Sequence, residues 1–346
     1  MRQLSFLIIV LISAITPVLH SQNLIAVQNN NAPSFYTQLD SAIVYAQNGD
    51  TIYLPGGTYL LSAQIAKCLH IIGVGINIDS SLATGITRIN GPLSLQNEFE
   101  ASNGSISGVY LVGEIYSGNR ISNYSVRRCR IGGLRMASNV TNANSSWIFS
   151  ENIIQGIMEI SAPGASNCLF SNNIIDAISI NTDNGFVSSI FKNNIFLLEG
   201  YCGWGFCNLP ISASGSNFEN NIFLSSQITT QHIYNSSMNN NLFVENFAIS
   251  GEQIWGSNNI VDQPQTSIFM NQSGNNFDFH HDYHLQSSSP GKNAGKDGTD
   301  IGIYGGAFPW KAGSVPPNPH TQFENVSGVD EAGNIHVNIK VAAQDR

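Results

Sequence analysis

The sequence predicts an all-β fold: a parallel β-helix in which each turn of about 21 residues stacks on the one before it. An asparagine-rich phrase recurs along the chain, as in "LFSNNIIDA" (169–177), "IFKNNIFLL" (190–198) and "NFENNIFLS" (217–225). Short β-branched and aromatic runs, split by Asn, Gly and Ser, fill each repeat and are typical of short strands and turns. The spacing between repeats is nearly constant. An apolar residue precedes each phrase at intervals of 20, 23, 21, 21, 27 and 20 residues, at Ile106, Val126, Phe149, Phe170, Phe191, Phe218 and Met238.

The asparagines are interpreted as part of this scaffold. Asparagine tolerates the left-handed backbone conformation of tight turns. Stacking at about 4.8 Å would also let identical amides hydrogen-bond from turn to turn. We therefore predict a structural asparagine ladder, with the members Asn172, Asn193, Asn220 and Asn240. The position five residues after each apolar anchor predicts a second, apolar ladder of Ile131, Ile154, Ile175, Phe196, Phe223 and Phe243.

The chain begins with a predicted signal peptide, residues 1–22. Arg2 supplies a positive start, and an apolar run follows that is too short to span a bilayer comfortably. No later stretch is suited to crossing a membrane. We therefore expect an exported protein, either secreted or at the cell surface.

The β-helix is predicted over residues 23–310, with both ends covered because open sheet edges invite aggregation. Residues 35–47 place apolar side chains at helical spacing, which predicts a capping helix over the first turn. Residues 311–346 hold a proline-rich break and then "NIHVNIKVA" (334–342). Its alternation predicts a strand with one buried side, formed by Ile335, Val337, Ile339 and Val341. We favour a C-terminal cap here, with an attachment or sorting element as the alternative.

Composition excludes some partners. The net charge is −9 and only 11% of residues are charged, which argues against nucleic-acid binding. Five cysteines give no complete disulfide framework, although Cys202 and Cys207 could close a small loop in an oxidising compartment. We expect a monomer.

Arginines cluster within 16 residues, at Arg120, Arg127, Arg128, Arg130 and Arg135. The repeat register places Arg128 beside Glu151 and Lys192 beside Glu219, so these four residues are predicted to form ion pairs between turns. Arg130 and Arg135 have no such partner. Because the guanidinium fork matches a carboxylate, these two are candidate ligand-binding residues for an acidic sugar.

The longest repeat carries about six extra residues, in or near "EGYCGWGFCNLP" (199–210). Insertions in solenoid turns project as loops, commonly on a binding face. Tyr201, Trp204 and Phe206 are therefore candidate ligand-binding residues that could stack on a sugar ring. The alternative is that these rings fold back onto the flank of the β-helix.

Three features together resemble bacterial secreted right-handed parallel β-helix proteins of the pectate-lyase-like superfamily. They are "GDTIYLPGGTY…LHIIGVG" (49–75), the asparagine-rich turns, and "DYHLQSSSPGKNAGKDGTDIGIYGG" (282–306). The resemblance covers about residues 23–310 and implies a right-handed coil. The superfamily includes polysaccharide lyases, polygalacturonases, phage tailspikes, adhesins and members without assigned activity, so the fold alone does not give the function.

No catalytic residue is predicted. Asp183 in "INTDNG" (180–185) matches the first motif of polygalacturonase-like hydrolases, but the following aspartate pair is replaced by "YCGWGF" (201–206). One carboxylate cannot serve as both acid and base in glycoside hydrolysis. Other acidic residues that could serve a calcium-dependent lyase share no common register; they are Glu159, Asp176, Glu199 and Glu245.

The phrase "FDFHHDYHL" (277–285) could place His280, Asp282 and His284 on one strand face, but we interpret it as scaffold. We therefore expect no metal and no cofactor, with Ca²⁺ only if the protein is a lyase. The function that these observations favour is glycan binding or a structural role at the cell surface. The alternatives are a polysaccharide lyase or glycoside hydrolase acting on an acidic polysaccharide, and an adhesin-like module that binds protein.

Overall fold

A computed structural model shows a parallel β-solenoid of about seven turns with about 21 residues per turn, which confirms the predicted fold class. The structure describes residues 24–29, 32–78, 85–96, 100–136, 144–160, 164–180, 185–197, 200–202, 205–207, 213–224, 233–244, 253–315, 317 and 319–343. The predicted signal peptide lies outside these residues, so export stays a prediction. No helix among the described residues is long and apolar enough to cross a membrane.

Three sheets form the sides of the solenoid. Sheet A consists, in spatial order, of Ser34–Tyr36, Ile25–Gln28, Thr51–Tyr53, His70–Ile72, Ser105–Ser107, Ser125–Arg127, Ile148–Ser150, Leu169–Ser171, Ile190–Lys192, Asn217–Glu219, Ser236–Asn239 and Ile254–Trp255. Sheet B runs through Gly57–Leu60, Thr87–Asn90, Tyr110–Ser117, Arg130–Met136, Ile153–Ile160, Ile174–Ile180, Ile195–Phe196, Ile222–Phe223 and Leu242–Phe243, with Leu93–Leu95, Gly200–Cys202 and Gly205–Cys207 beside this path. Sheet C consists of Ala165–Ser166, Phe186–Val187, Ala213–Ser214 and Ile233–Tyr234.

The apolar anchors of the repeat pair in register along sheet A, as predicted. Their rings stack inside the solenoid, for example Phe149 on Phe170 with centroids 4.5 Å apart and Phe191 on Phe218 at 4.8 Å. The second predicted ladder is also buried, and in sheet B Phe223 stacks on both of its neighbours. Each turn therefore buries its apolar side chains mainly against the next turn.

The predicted asparagine ladder lies one residue later than the sequence analysis placed it. Buried amides of the second asparagine in each phrase bond to one another from turn to turn, as when Asn194 Nδ2 donates to Asn221 Oδ1 at 3.0 Å. The full run is Asn152, Asn173, Asn194, Asn221, Asn241 and Asn259. The predicted members Asn172, Asn193, Asn220 and Asn240 instead form the left-handed corner, with φ between 54° and 58°. Their side chains face a different partner, described below.

The helix Leu39–Tyr45 covers the first turn, within the predicted range 35–47. The helix residues Leu39, Ala42 and Ile43 are buried. Asp40 accepts bonds from the backbone amides of Ser62 and Ala63, each at 2.9 Å. The predicted N-terminal cap is therefore fixed by both apolar and polar contacts.

After the last turn, residues 260–315, here named the strap, run back along the outside of sheet B. The strap contains the antiparallel strands Phe269–Asn271 and Asp282–Leu285 and two short 3₁₀ turns, Gln265–Ser267 and Ala312–Ser314. Its apolar residues form a second core with outward-facing residues of sheet B; this core includes Ile174, Ile195, Ile222, Leu242, Tyr283, Leu285, Ile301 and Ile303.

The corner asparagines hold the strap in place. Asn172 Nδ2 donates to the carbonyl of Ile303 at 2.8 Å, and Asn240 Nδ2 donates to that of Ala294 at 3.1 Å. Further along, Arg128 donates to the carbonyl of Val315 at 2.8 Å. The strap, which contains the phrase of residues 282–306, is therefore fixed to the outside of the solenoid by side-chain hydrogen bonds.

Two antiparallel strands, His320–Val329 and Ile335–Ala342, form a C-terminal hairpin. The predicted strand is present, but the prediction that it has a buried side is wrong. Ile335, Val337, Ile339 and Val341 are 55–60% exposed, and no hairpin residue belongs to either apolar core among the described residues. The alternation arises from a hairpin face that the described part of the chain leaves exposed.

Candidate functional site

A stack of cationic and aromatic side chains lies on the outer face of sheet B, over the turns nearest the N-terminal cap. Arg88 pairs with Tyr110 in the backbone register, and Tyr110 pairs with Arg130. The guanidinium groups lie 5.1 Å and 4.5 Å from the centroid of the Tyr110 ring, one on each neighbouring strand. The aromatic ring thus holds two positive charges on one surface.

The outer face of sheet B also carries a ladder of apolar residues, and the stack lies at one end of this ladder. In the register of Arg130, the following turns carry Ile153, Ile174 and Ile195. The change is visible in the sequence, since Arg130 occupies a position that is isoleucine in the next four repeats. Ile174 and Ile195 lie under the strap. The chemistry of the face therefore changes from apolar to cationic along one ladder.

Arg130 is positioned by three elements. Its guanidinium donates to Gln155 Oε1 on the next strand and lies over the ring of Phe279 in the strap, 5.5 Å from the centroid. Together with the Tyr110 ring, these contacts fix the orientation of the Arg130 guanidinium group. Phe279 comes from a segment about 150 residues later in the chain, so no local pattern connects it with Arg130.

Asp176 lies near Arg130, one strand beyond Gln155. Its side chain is only 8% exposed, and its Oδ1 atom has no hydrogen-bond partner among the described residues. Burial raises the pKa of Asp176 to about 7, although the charge of Arg130 acts in the opposite direction. A buried acid with this pKa beside a cation is typical of functional sites. In the sequence, Asp176 was only one of several acidic residues without a common register, so its burial beside Arg130 was not predicted.

Arg135 lies on the same strand as Arg130, and its side chain is half exposed. It makes an ion pair with Glu114 on the neighbouring strand, with 3.5 Å between Nε and Oε2. No partner was predicted for Arg135, and this expectation was wrong, because Glu114 lies on the preceding turn outside the repeat phrase. A bulge between the two arginines shifts the register.

The bulge depends on glycine. A Cβ atom added to Gly156 would lie 1.6 Å from the carbonyl oxygen of Gly132, so the two backbones approach more closely than any side chain allows. Such bulges redirect the strand and the side chains that follow. Arg130 and Arg135 are thereby both left facing outward.

Tyr201 lies on the same sheet. Its backbone pairs with Ser179, Ser179 pairs with Glu159, and Glu159 pairs with Arg135. Tyr201 and Arg135 therefore occupy the same register position, three strands apart. Tyr201 also pairs with Phe206 in a small antiparallel hairpin, in which Cys202 pairs with Gly205 and Cys207 with Gly200. Trp204 lies outside the described residues, as do the side chains of Tyr201 and Phe206. Ligand contact by these three residues and the Cys202–Cys207 disulfide stay predictions.

Two predicted ion pairs between turns are structural. Arg128 Nε lies 2.9 Å from Glu151 Oε2, and Lys192 Nζ lies 3.2 Å from Glu219 Oε1, which confirms both predicted ion pairs. Lys296 of the strap adds a second bond to Glu219 at 2.7 Å. These groups bind the strap to the turns.

The histidine-rich phrase belongs to the strap. His280 bonds to Asp278 at 2.8 Å, and His284 bonds to Asp282 at 2.7 Å while stacking on the ring of Tyr304. Within the described part of the chain, no group of three or more metal-ligating side chains is placed to hold a metal ion.

Comparison with known protein families finds no family model that matches this chain, and no curated protein matches it. The parallel β-solenoid therefore stands on the structure itself, and membership of the pectate-lyase-like superfamily stays a proposal.

Proposed function

We propose that the protein is an exported, pectate-lyase-like β-helix that binds an acidic polysaccharide along the outer face of sheet B. The observation that carries this proposal is the Arg88–Tyr110–Arg130 stack, with Arg135 on the same strand as Arg130. The protein as a whole is acidic, so two arginines on one aromatic ring form a local positive surface, to which Arg135 adds a cation that is shared with Glu114.

The chemistry of this surface suits uronic acid units. A guanidinium fork can bond both oxygens of a carboxylate, and an aromatic ring can pack on the apolar face of a sugar. The register from Arg135 to Tyr201 spans three strand spacings, or about 14 Å at about 4.8 Å each. An extended chain of several sugar units would cover that distance.

Titration calorimetry with oligogalacturonate tests the proposal. The double variant Arg130→Gln/Arg135→Gln should bind at least about tenfold more weakly than the unmodified protein, because two charge-assisted contacts are lost. Lys340→Gln is the control for lost charge, since it removes one positive charge from the exposed C-terminal hairpin, whereas the double variant removes two. If only net charge matters, the control should lose about half as much binding free energy as the double variant, and unchanged affinity in the double variant would reject this face.

Asp176 favours polysaccharide cleavage as a second candidate function. A carboxylic acid with a pKa near 7 can donate a proton at neutral pH. Glycoside hydrolysis uses a pair of carboxyl groups, so an enzyme would also need a second group to act with Asp176. Incubation with polygalacturonate, followed by assays for unsaturated products and for new reducing ends, separates the two functions. Turnover that Asp176→Asn abolishes would establish the enzyme, and binding without turnover would leave the glycan-binding proposal.

A further inference from the structure

A cleft of about 600 Å³ lies on the outer face of sheet A, on a different side of the solenoid from the arginine stack. Its floor is formed by four neighbouring strands of sheet A, and its wall by one residue of the strap and one residue that follows the strap. The floor carries Arg127, Ile148, Ser150 and Leu169, and the wall carries Phe308 and Pro317. This volume is within the range of small-molecule sites, roughly 300–1,000 Å³.

The wall is built into the fold. Arg128, only 4% exposed, bonds to Glu151 through one nitrogen and to the carbonyl of Val315 through another. Val315 is itself buried, two residues before Pro317. Arg128, at the corner between sheets A and B, therefore fixes the end of the strap at Val315, beside the wall of the cleft.

The cleft has one cationic end. Arg127 is exposed, and its guanidinium makes no hydrogen bond or ion pair with any part of the chain that the structure describes. Its neighbour Arg128 is fully engaged by Glu151 and Val315, and so offers little to a ligand. The available positive charge is thus that of Arg127, which suits a carboxylate.

The remainder of the lining is mainly apolar. Ile148 and Leu169 are only partly buried on the sheet, and Phe308 is 68% exposed at the rim. Between them lies Ser150, whose buried hydroxyl has no hydrogen-bond partner among the described residues. Buried polar atoms are nearly always paired, so this hydroxyl is a second sign that the lining is completed by a ligand.

We infer that this cleft is a binding site for a small organic carboxylate with an apolar body. The carboxylate bonds to Arg127, and the aliphatic or aromatic body packs between Ile148, Leu169 and Phe308. The site is separate from the sheet B face, so its occupancy does not depend on whether that face binds a polysaccharide.

The probe that tests this site is 4-phenylbutanoate, compared with 4-phenylbutanol, which has the same body and no charge. Titration calorimetry should show that the acid binds at least about tenfold more tightly than the alcohol. Arg127→Gln should reduce affinity for the acid to that for the alcohol, and Phe308→Ala should weaken both ligands. Both side chains are exposed, so neither change should disturb folding.

Lys340→Gln again serves as the charge-matched control and should leave affinity for the acid unchanged. Equal affinity for acid and alcohol, or binding that Arg127→Gln does not weaken, would place the ligand elsewhere, for example on the apolar face of the hairpin, and would overturn the inference. Absence of binding at millimolar probe would overturn it as well.

Discussion

At the scale of single residues, Asp176 links the candidate site to stability. Its neutral form is favoured in the folded chain because the carboxyl group is buried, and its pKa rises from 3.8 to about 7. In the unfolded chain the same group ionises above its ordinary pKa. Folding therefore becomes less favourable as the pH rises from about 4 to about 7, and the loss is constant above that range.

We predict that Asp176→Asn stabilises the protein at pH 8 and has little effect at pH 4. A difference of about three units between the folded and unfolded pKa corresponds to about 4 kcal/mol at most. Urea unfolding across this pH range measures it, with the exposed Asp262→Asn as a control that should follow the unmodified protein. A variant that shows the same stability difference at both pH values would contradict the raised pKa.

The paired asparagines of each phrase have different roles, and we predict different costs for losing them. Asn194→Ala removes the acceptor for the backbone N–H and the side-chain amide of Asn173, and it removes one donor to the carbonyl of Phe170. At about 1–3 kcal/mol per unpaired group, the loss should reach about 3 kcal/mol. Asn193→Gly keeps the left-handed corner and loses one bond to the strap, so it should cost about 1 kcal/mol.

Chemical denaturation of the two variants side by side checks this order. The reverse order would mean that the corner residues form the stabilising ladder, as the sequence analysis predicted. Sequence alone could not separate the two positions, because both asparagines recur with the same period and the repeat does not show which one points inward.

At the scale of elements, the strap and the hairpin differ in whether their apolar side chains are buried. The strap buries the outer ladder of sheet B, including Ile222 and Leu242, whereas the hairpin exposes its apolar face. A two-stranded hairpin without further packing is at best marginally stable. The alternating pattern of residues 335–341 predicted a strand correctly, but alternation indicates an apolar face and not what covers it.

We predict that removing residues 320–346 changes the melting temperature of the solenoid by less than about 2 °C, since no described hairpin residue contributes to either core. The longer deletion of residues 261–346 exposes the ladder of Ile174, Ile195, Ile222 and Leu242. This variant should aggregate or melt far lower, because apolar surface returns to water. Differential scanning calorimetry with light scattering distinguishes the two outcomes, and a large loss of stability on removing the hairpin alone would show that it packs on the solenoid.

At the scale of the whole molecule, the period of the repeat was sufficient to predict the solenoid, its two apolar ladders and the ion pairs between turns. The candidate site was predicted only in part. Arg130 and Arg135 stood out because the repeat register gave them no acidic partner. Arg88 precedes the repeats used for alignment, and Tyr110, four residues after the anchor Ile106, carries no charge that would single it out. Phe279 reaches the site through the strap, and its position follows from the packing of an external segment that carries no repeat.

The electrostatics of the whole protein sharpen the proposed function. With a net charge of −9, the chain as a whole repels a polyanion, so an acidic glycan must be held by local contacts with the arginine face. Salt should weaken those contacts only in part, because Arg130 lies between aromatic rings and is partly shielded from solvent.

The most direct test compares the affinity of the purified protein for polygalacturonate with its affinity for the same polymer after its carboxylates are reduced to alcohols. Because the two polymers share backbone and length, only the carboxylate differs. We predict binding at least about tenfold tighter to the acidic polymer in 0.15 M salt, with the difference retained in part at higher salt. Equal affinity for both polymers, or no binding to either, would contradict recognition of an acidic polysaccharide by sheet B.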